Sequence, residues 1–441
     1  MTKTVRYFWR LLTTFARRRK RLIIIGFLAG ILAFFFLPGF LRLLPERQQT
    51  ESIGLVGRYT LENIPHEIQK QISLGLTRLE EDGTPVPGLA KEWQVEKEGT
   101  VYTFKLNENL IWHDGKSIRA QDINYNFQDA EMKILDPKTV QFVLKEPFSA
   151  FPAIVSRPIF KKGLVGAGSY RVKKITRRGQ SVEAIALLAL SKGKPNLQYR
   201  FYPIEAAAKT ALKLGEIDTL ENIIDPSGFE NWKNLKITSR IHFDRYMAVF
   251  FNTSKPFLED KGFRQALAYA IPKETRNRAL GPINPSSWAY NQDVKPYEQN
   301  LANAKNFLAK AIGENKEISI NLKTASSLIA EAEKIKKAWE MLGIKVNVGP
   351  MTFPGEDFEV LLAIQEIPPD PDQYTLWHST QKASNLTQFK NPRIDKLLED
   401  GRKTLDKEQR RKIYFDFQRF IVEEVPAIFL SYPTVWEISR K

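Results

Sequence analysis

The sequence predicts a mixed α/β protein that follows a single transmembrane helix at its N-terminus. The helix is predicted by an uncharged apolar run of about 20 residues, which is long enough to cross the hydrocarbon core of a bilayer. The α/β class is predicted because two kinds of segment follow one another along the chain beyond residue 49. Some have apolar residues at helical spacing, and others have apolar and polar residues in alternation, as in strands. The 441 residues show no internal repeats, which excludes a repeat architecture.

The composition is that of a globular protein, with 43% hydrophobic and 26% charged residues. The chain has no Cys, which excludes disulfides, thiolate metal sites and a lipid-modified N-terminal Cys, and it has four His, too few for a His-rich metal centre. The net charge is +16, but residues 1–48 alone contain ten basic residues and one acidic residue. No basic run is interleaved with aromatic residues, so we expect no nucleic-acid partner.

The apolar run begins at Leu22 and ends at Leu41, and we assign residues 22–41 as an uncleaved transmembrane anchor. A cleavable signal peptide has a shorter apolar core and a small-residue cleavage site, and no such site follows this run. By the positive-inside rule, residues 1–21 form a cytoplasmic basic segment and the chain from residue 49 onward lies outside the membrane. Five cations precede the run directly: Arg17, Arg18, Arg19, Lys20 and Arg21.

The first elements of the exported part follow from apolar spacing. Residues 53–58 predict a strand. Residues 64–79 predict a helix, because Ile68, Ile72 and Leu76 recur at helical spacing.

The next segment predicts two strands with a short helix between them. Tyr102, Phe104 and Leu106 alternate with polar residues, as in a half-buried strand. Residues 120–127 predict a short helix, and residues 139–144 predict a further strand.

Beyond this point the pattern alternates between helices and strands. Helices are predicted at 206–214, 262–270, 301–311, 327–342 and 406–424, and strands at 344–348 and 427–432.

No motif in the sequence carries catalytic chemistry. The His-Asp-Gly at 113–115 offers too few ligands for a metal, and its Asp-Gly is typical of a turn. The Gly-Ala-Gly at 166–168 continues into a strand, whereas the glycines of a phosphate-binding loop open a helix. No nucleophile elbow of the form G-x-S-x-G is present. We therefore expect no enzyme activity, no cofactor and no metal site.

Several phrases of the exported part stand in the order typical of one protein family. They are GLTRLEEDGTPVPGLAKEWQV at 75–95, YTFKLNENLIWHDGKSIRAQDINYNF at 102–127, FFNTSKPFLEDKGFRQALAYAIPKE at 250–274 and DPDQYTLW at 370–377. In these phrases the sequence resembles the family 5 extracellular solute-binding proteins, which are the peptide- and nickel-type receptors of ABC importers. The resemblance runs from residue 53 to the C-terminus.

The resemblance implies a two-lobed, periplasmic-binding-protein-like fold of type II with an extra small subdomain. The sequence is short after Phe127, where family members carry a helical excursion, so the subdomain is expected to be reduced to its sheet. The expected divisions are lobe I at 49–62, 160–243 and 406–441, the small subdomain at 63–159 and lobe II at 244–405.

The resemblance also places the ligand against the strand that precedes Asp370. In peptide-binding relatives the backbone of this strand pairs with the extended peptide, and an Asp shortly before the D-P-D element receives the peptide's amino group. In this sequence Ile367 occupies the position of that Asp. Glu366 and Asp370 are the candidates to replace it, and Ile364 and Gln365 complete the expected ligand-binding strand.

Aromatic side chains are further candidates for the cleft, since they combine a large apolar area with a polar group. Packing in the core is the alternative role for each of them. His378 is a candidate partner for a ligand carboxylate, or for a metal in a nickel-type receptor. The aromatic candidates are Tyr59, Tyr246, Trp288 and Trp377.

Together these features predict a monomeric, membrane-anchored receptor on the extracellular or periplasmic side. It is expected to capture short peptides between closing lobes and to deliver them to the permease subunits of an ABC importer. Two alternatives stay open. One is a surface sensor or scaffold that keeps the fold without transport, and the other is a receptor for nickel or another small solute.

Overall fold

The computed structural model describes residues 49–441 apart from 274–275, 313–316 and 352–354, together with residues 19–21, 25–27, 30–32 and 34–36. The contacts divide the chain into two compact units. One unit comprises residues 1–49 and 193–195, and the other comprises residues 50–192 and 196–441.

The described pieces of the N-terminal segment are mostly helical and exposed. No helix among the described residues is long and apolar enough to cross a bilayer. Much of the predicted anchor, Leu22 and Leu41 included, lies outside the described residues, as do Arg17 and Arg18. The exposed apolar side chains within the described pieces are Ile25, Phe27, Ile31, Leu32, Phe34, Phe35 and Phe36.

The second unit contains the regular elements of the fold. Its strands are β1 (Thr50–Val56), β2 (Thr77–Leu79), β3 (Pro85–Pro87), β4 (Ala90–Glu96), β5 (Val101–Leu106), β6 (Ala130–Asp136), β7 (Thr139–Leu144), β8 (Tyr170–Arg178), β9 (Ser181–Ala189), β10 (Asn196–Tyr202), β11 (Thr219–Ile223), β12 (Leu235–Ile241), β13 (Arg245–Phe251), β14 (Ser319–Thr324), β15 (Lys345–Pro350), β16 (Val360–Glu366), β17 (Ala427–Ser431) and β18 (Thr434–Arg440). Its α-helices are α1 (His66–Ile72), α2 (Phe151–Ile154), α3 (Glu205–Leu214), α4 (Lys261–Ala270), α5 (Leu301–Ile312), α6 (Ile329–Glu340), α7 (Tyr374–Trp377), α8 (Pro392–Lys403) and α9 (Lys407–Glu424).

Sheet A is a mixed sheet with the strand order β12-β18-β11-β1-β10-β9-β8 in the described part of the chain. Helix α3 connects β10 to β11 and buries its apolar face against the sheet. The helix ends at Gly215, whose φ of 79° is a left-handed conformation that glycine adopts without a Cβ clash. The edge strand β8 carries exposed cations that discourage pairing with another chain, namely Arg171, Lys173, Lys174, Arg177 and Arg178.

Sheet B has the order β15-β14-β16-β13-β17 and supports the largest apolar core. Two of the helices that pack on it, α4 and α9, begin at capping side chains. Asp260 accepts a hydrogen bond from the Phe263 N–H at 2.8 Å at the start of α4, and Asp406 accepts one from the Gln409 N–H at 2.8 Å at the start of α9. Trp339 on α6 is fully buried in this core, and its indole N–H donates to the Leu267 carbonyl at 3.1 Å.

Sheet C, with the order β4-β5-β7-β6, has an apolar core of its own and lies within the segment predicted as the small subdomain. Tyr102 and Phe104 of β5 are fully buried, and both rings contact Phe151 of α2. The helix predicted at 120–127 is only a short 3-10 turn at Ala120–Asp122.

The helix predicted at 64–79 is also shorter than its apolar spacing suggests. It forms α1 but ends at Ile72, because Ser73 is extended. Leu76 then packs into the core of sheet C, and Leu79 belongs to β2.

Two connections carry the chain directly from strand to strand between sheets A and B. Residues 242–244 join β12 to β13, and residues 432–433 join β17 to β18. The connections lie side by side, since the His242 N–H donates to the Pro433 carbonyl at 2.9 Å and the rings of Phe243 and Tyr432 are 5.2 Å apart. We call these paired connections the crossing.

The C-terminal part differs from its expected place in the fold. Residues 406–441 were all expected in lobe I, but β17 pairs with β13 of sheet B and α9 packs into the core of that sheet. Only β18 returns to sheet A, where it pairs with β11 and β12. The apolar face of α9 therefore covers sheet B, while the final strand, which the sequence did not predict, lies between β12 and β11 in sheet A.

Glu221 of β11 makes the stability of sheet A depend on pH. Its burial, reinforced by the nearby carboxylates of Glu437 and Glu51, raises its pKa from 4.5 to about 7. The folded state therefore holds a proton that the unfolded chain releases above pH 4.5, so stability falls as the pH rises towards 7. We expect Glu221→Gln to stabilise the fold at pH 8 by about 1–3 kcal/mol and to change little at pH 4.

Chemical denaturation at both pH values measures this difference. The exposed Glu146→Gln is the matched control, and it should leave the pH dependence unchanged. Equal effects of the two substitutions at pH 8 would contradict the assignment.

Candidate functional site

Strand β16 is the centre of the candidate site and pairs with β13 over its whole length. The Asn252 N–H donates to the Glu359 carbonyl, and the Ile367 N–H donates to the Asp244 carbonyl, so residues 359 and 367 face β13. Since backbone groups alternate along an antiparallel pair, residues 361, 363 and 365 also face β13. The N–H and C=O groups of Ile364 must therefore point to the opposite edge.

That opposite edge is only half covered. Strand β14 pairs in parallel with β16 through Leu322–Thr324 against Val360–Leu362, and the Thr324 hydroxyl donates to the Leu362 carbonyl at 2.8 Å. Beyond Thr324 the chain turns away into a 3-10 turn. Among the described residues no strand pairs with residues 363–366 on this side, and no hydrogen bond reaches the backbone of Ile364. We call residues 363–366 the open edge.

One face of the open edge is exposed and charged. Ile364 is 39% exposed and Glu366 is also exposed. Arg245 of β13 stands directly opposite Glu366 in the antiparallel register, and its pKa is raised mainly by its hydrogen bond to Asp244 and in smaller part by the Glu366 carboxylate. Burial raises the pKa of the phenol of Tyr59, in the loop after β1, although the nearby Arg245 guanidinium lowers it in part.

The crossing holds Arg245 in place through Asp244. Arg245 donates to the Asp244 carboxylate at 2.9 Å, and the His242 imidazole contacts the same carboxylate at 2.9 Å. Although burial alone would raise it, these hydrogen bonds lower the pKa of Asp244 well below its ordinary value. The other ring nitrogen of His242 lies 3.1 Å from the Asn222 amide oxygen, which ties the crossing to sheet A.

The other face of β16 belongs to the core. Tyr246 and Gln365 are cross-strand partners, and both line a cavity of about 10 Å³ with Trp377, the space of a single water. Tyr246 is fully buried, which raises the pKa of its phenol. The Tyr246 hydroxyl and the Trp377 indole N–H are buried without a hydrogen-bond partner in the described part of the chain.

Asp370 is held in a buried ion pair. Arg410 of α9 donates to both of its carboxylate oxygens, at 2.9 and 2.5 Å, and the two side chains are 7% and 8% exposed. Burial lowers the pKa of Arg410, but the Asp370 carboxylate more than offsets this and raises it above its ordinary value. The ring of Trp288 lies 5.6 Å from the Arg410 guanidinium. Asp370 is therefore already neutralised, and Trp288 packs on its partner.

The remaining two predicted residues are enclosed. Ile367 is 7% exposed. His378 is 4% exposed, and its ring stacks on Tyr374 and contacts the Thr380 hydroxyl at 2.8 Å and the Glu399 carboxylate at 3.4 Å. The described residues contain no group of three or more His, Cys, Asp or Glu side chains that could hold a metal ion.

This topology can be compared with known proteins. Residues 84–385 match the family described as bacterial extracellular solute-binding proteins, family 5 Middle. The chain belongs to this family of solute-binding proteins. The oligopeptide-binding protein AppA of Bacillus subtilis is 26% identical to it over 478 residues, which cover 88% of this chain and 87% of AppA.

Solved structures share the two-lobed α/β fold of this family 5 protein. The structure of AppA from B. subtilis with a nonapeptide has a TM-score of 0.70 at 23% identity, and covers 89% of this chain and 95% of that one. The structure of NikZ from Campylobacter jejuni with Ni(L-His) has a TM-score of 0.73 at 24% identity, and covers 89% of this chain and 94% of that one.

In this family 5 protein the predicted site residues separate into distinct groups. Glu366 and Tyr59 lie near Arg245, and Ile364 lies on the open edge opposite Met247, whereas Tyr246, Gln365 and Trp377 line the cavity on the core side. Asp370 and Trp288 surround Arg410, and His378 packs against α8. Arg245, Asp244 and Arg410 were not predicted from the sequence, and of these only Asp244-Arg245 carried a signal, as a charged pair that directly precedes an apolar strand.

The buried Asp370–Arg410 pair yields a stability prediction. Arg410→Met leaves the Asp370 carboxylate buried and unpaired, which we expect to cost about 3–5 kcal/mol in the free energy of unfolding. Adding Asp370→Leu removes the orphaned charge, so the double variant should recover a large part of this loss. Chemical denaturation of the single and double variants measures both quantities.

Ligand binding provides the second readout for the same pair. We expect the double variant to bind ligand with nearly unchanged affinity, because Asp370 faces Arg410 rather than the open edge. A stable double variant that loses ligand affinity would instead indicate that Asp370 contributes to ligand binding.

Proposed function

We propose that this family 5 protein captures short peptides in an interlobe cleft and delivers them to the permease subunits of an ABC importer. Residues 22–41 hold it in the cell membrane with the binding unit on the outer side. The observation that carries the proposal is the open edge of β16.

The open edge offers an extended peptide a strand with which its backbone can pair. Its unpaired N–H and C=O groups at Ile364 can extend the sheet by one strand, and this kind of recognition is independent of the peptide's side chains. Pairing with β13 already orders the residues of the open edge, so the protein loses little conformational entropy when the peptide binds.

The exposed carboxylate beside the open edge suits the amino group of a peptide. Glu366 supplies a carboxylate for the peptide's amino group, in place of the Asp that Ile367 replaces. Arg245 lies directly opposite, where the Asp244 carboxylate already holds its guanidinium. The amino group of the peptide would then meet opposite charge, which a partly buried ligand requires.

Membrane attachment is supported by the N-terminal segment. An uncharged run of about 20 apolar residues after five consecutive cations is typical of a single-pass anchor with a cytoplasmic N-terminus. The chain has no Cys for lipid attachment, so a helix of this kind supplies the tether.

A second candidate function is a surface sensor or scaffold that keeps the fold without transport. The observation in its favour is Ile367, which is buried and apolar at the position where peptide-binding relatives carry an Asp. In this case the cleft would hold no peptide.

Native mass spectrometry of the full chain, released from detergent micelles, tests the proposed function. We expect a ladder of bound masses that matches short peptides and gives their preferred length. A protein that stays empty and shows no thermal shift with a mixed peptide pool would favour the sensor or scaffold. A bound mass that carries a nickel isotope pattern would favour a metal-chelate receptor.

The variant Ile364→Pro tests the open edge itself. Proline removes the N–H that faces this edge and places its ring where the peptide backbone would lie, while the extended conformation of Ala363 is compatible with a following proline. We expect the peptide affinity to fall by roughly tenfold in calorimetry, with the melting temperature nearly unchanged.

Gln365→Pro is the matched control for this variant. Its N–H faces β13, so we expect this substitution to lower the stability of the fold instead. If Ile364→Pro binds peptide like the wild type, the peptide does not pair with the open edge.

A further inference from the structure

Sheet A has one end that faces away from the crossing. Strand β1 begins at this end beside the start of β10, since Thr50 pairs with Asn196. Strand β18 finishes there beside the start of β12, since Arg440 pairs with Leu235. The chain leaves for sheet B from the other end of β12, so a surface at this end is free of the open edge and of the crossing.

Large apolar side chains are exposed at this end. Leu190 follows β9 and is 53% exposed, and Leu214 ends α3 and is 71% exposed. Trp232, three residues before β12, is 36% exposed. They come from three separate connections, so the topology of sheet A, rather than one local segment, gathers them at one end.

Each of these apolar residues has a lysine close by in the chain. Lys192, Lys213 and Lys233 are all exposed. Acidic residues near this end have partners within the protein: Glu216 lies 3.8 Å from Arg200, the Asp218 carboxylate accepts the Ser52 N–H at 2.9 Å, and the exposed Glu230 carboxylate accepts the Gly228 N–H at 2.9 Å. Exposed lysines interspersed with exposed leucine and tryptophan are typical of surfaces that rest on anionic lipid.

The segment that contains the proposed anchor joins the chain at this end. Only the eight residues 42–49 separate the end of the proposed anchor from Thr50, the first residue of β1. Fully extended, they span about 30 Å at most. A short tether of this kind keeps the local lipid concentration high, so even weak contacts become populated.

We propose that this end of sheet A docks on the anionic phospholipid surface of the membrane that holds the anchor. We call it the lipid face, and define it by Leu190, Lys192, Lys213, Leu214, Trp232 and Lys233. The lysines contact lipid phosphates, and the apolar side chains enter the boundary between headgroups and acyl chains. The proposal rests on the proposed membrane anchor and adds an orientation to it, with the crossing and the cleft turned away from the bilayer.

The absence of Cys from the sequence makes a site-specific test direct. The full chain with Leu214→Cys is labelled with a fluorophore and reconstituted into vesicles that contain a headgroup-linked quencher. The lipids are phosphatidylcholine and phosphatidylglycerol at about three to one, or phosphatidylcholine alone. Ile111→Cys, in the small subdomain and 61% exposed, is the matched control site.

We expect quenching at residue 214 to exceed that at residue 111 by at least about threefold in the anionic vesicles. The difference should disappear in phosphatidylcholine vesicles, in about 1 M salt, and in the variant with Lys192→Glu, Lys213→Glu and Lys233→Glu. The salt measurement requires no substitution, so it holds even if the triple variant folds poorly.

Flotation of the same vesicles in high salt separates the two proposals. A chain that floats but shows equal quenching at both sites overturns the lipid face and leaves the anchor intact. A chain that does not float overturns the anchor, and the lipid face with it. Strong quenching at residue 214 that is insensitive to lipid charge and salt overturns the recognition of anionic headgroups.

Discussion

The pairing of the two chain crossings is the constraint on which the rest of the structure depends. On one side the crossing continues into the antiparallel pair β12–β18 of sheet A, and on the other side into β13–β17 of sheet B. Each connection is only two or three residues long, so a hydrogen bond between them constrains both strands at once. Because β13 starts at the crossing, its register against β16 follows, and with it the direction in which every backbone group of β16 points.

The open edge is a consequence of that register and of the end of β14 at Thr324, beside Leu362 of β16. A strand with neighbours on both sides has no unpaired backbone, and β16 meets this condition as far as Leu362. Beyond Leu362 the backbone of β16 stays extended because β13 continues to pair with it, while β14 no longer does. An ordered strand with one free edge is what a peptide needs for sheet addition, and it arises here without any special residue at Ile364.

The charged residues near β16 have different roles because their neighbours differ. Asp370 lies in a dry environment, where an unpaired carboxylate is costly, and Arg410 meets it with two hydrogen bonds. Glu366 is exposed to water and faces Arg245 without such an enclosed pair. The first carboxylate therefore contributes to the structure, whereas the second is accessible from the solvent.

The sequence by itself determined the family, the α/β class and most of the regular elements. Strand β7 was predicted with its observed bounds, and α3, α4, α5 and α9 were predicted to within about one residue, because apolar spacing and capping residues are local signals. Only the tertiary structure decided where α1 ends, that α9 covers sheet B, and that Arg410 neutralises Asp370. These outcomes depend on contacts between residues far apart in the chain, and Asp370 and Arg410, 40 positions apart, show no spacing that links them. Which backbone groups of β16 stay unpaired was likewise decided by its neighbours β13 and β14, because a strand's own residues do not specify its partners.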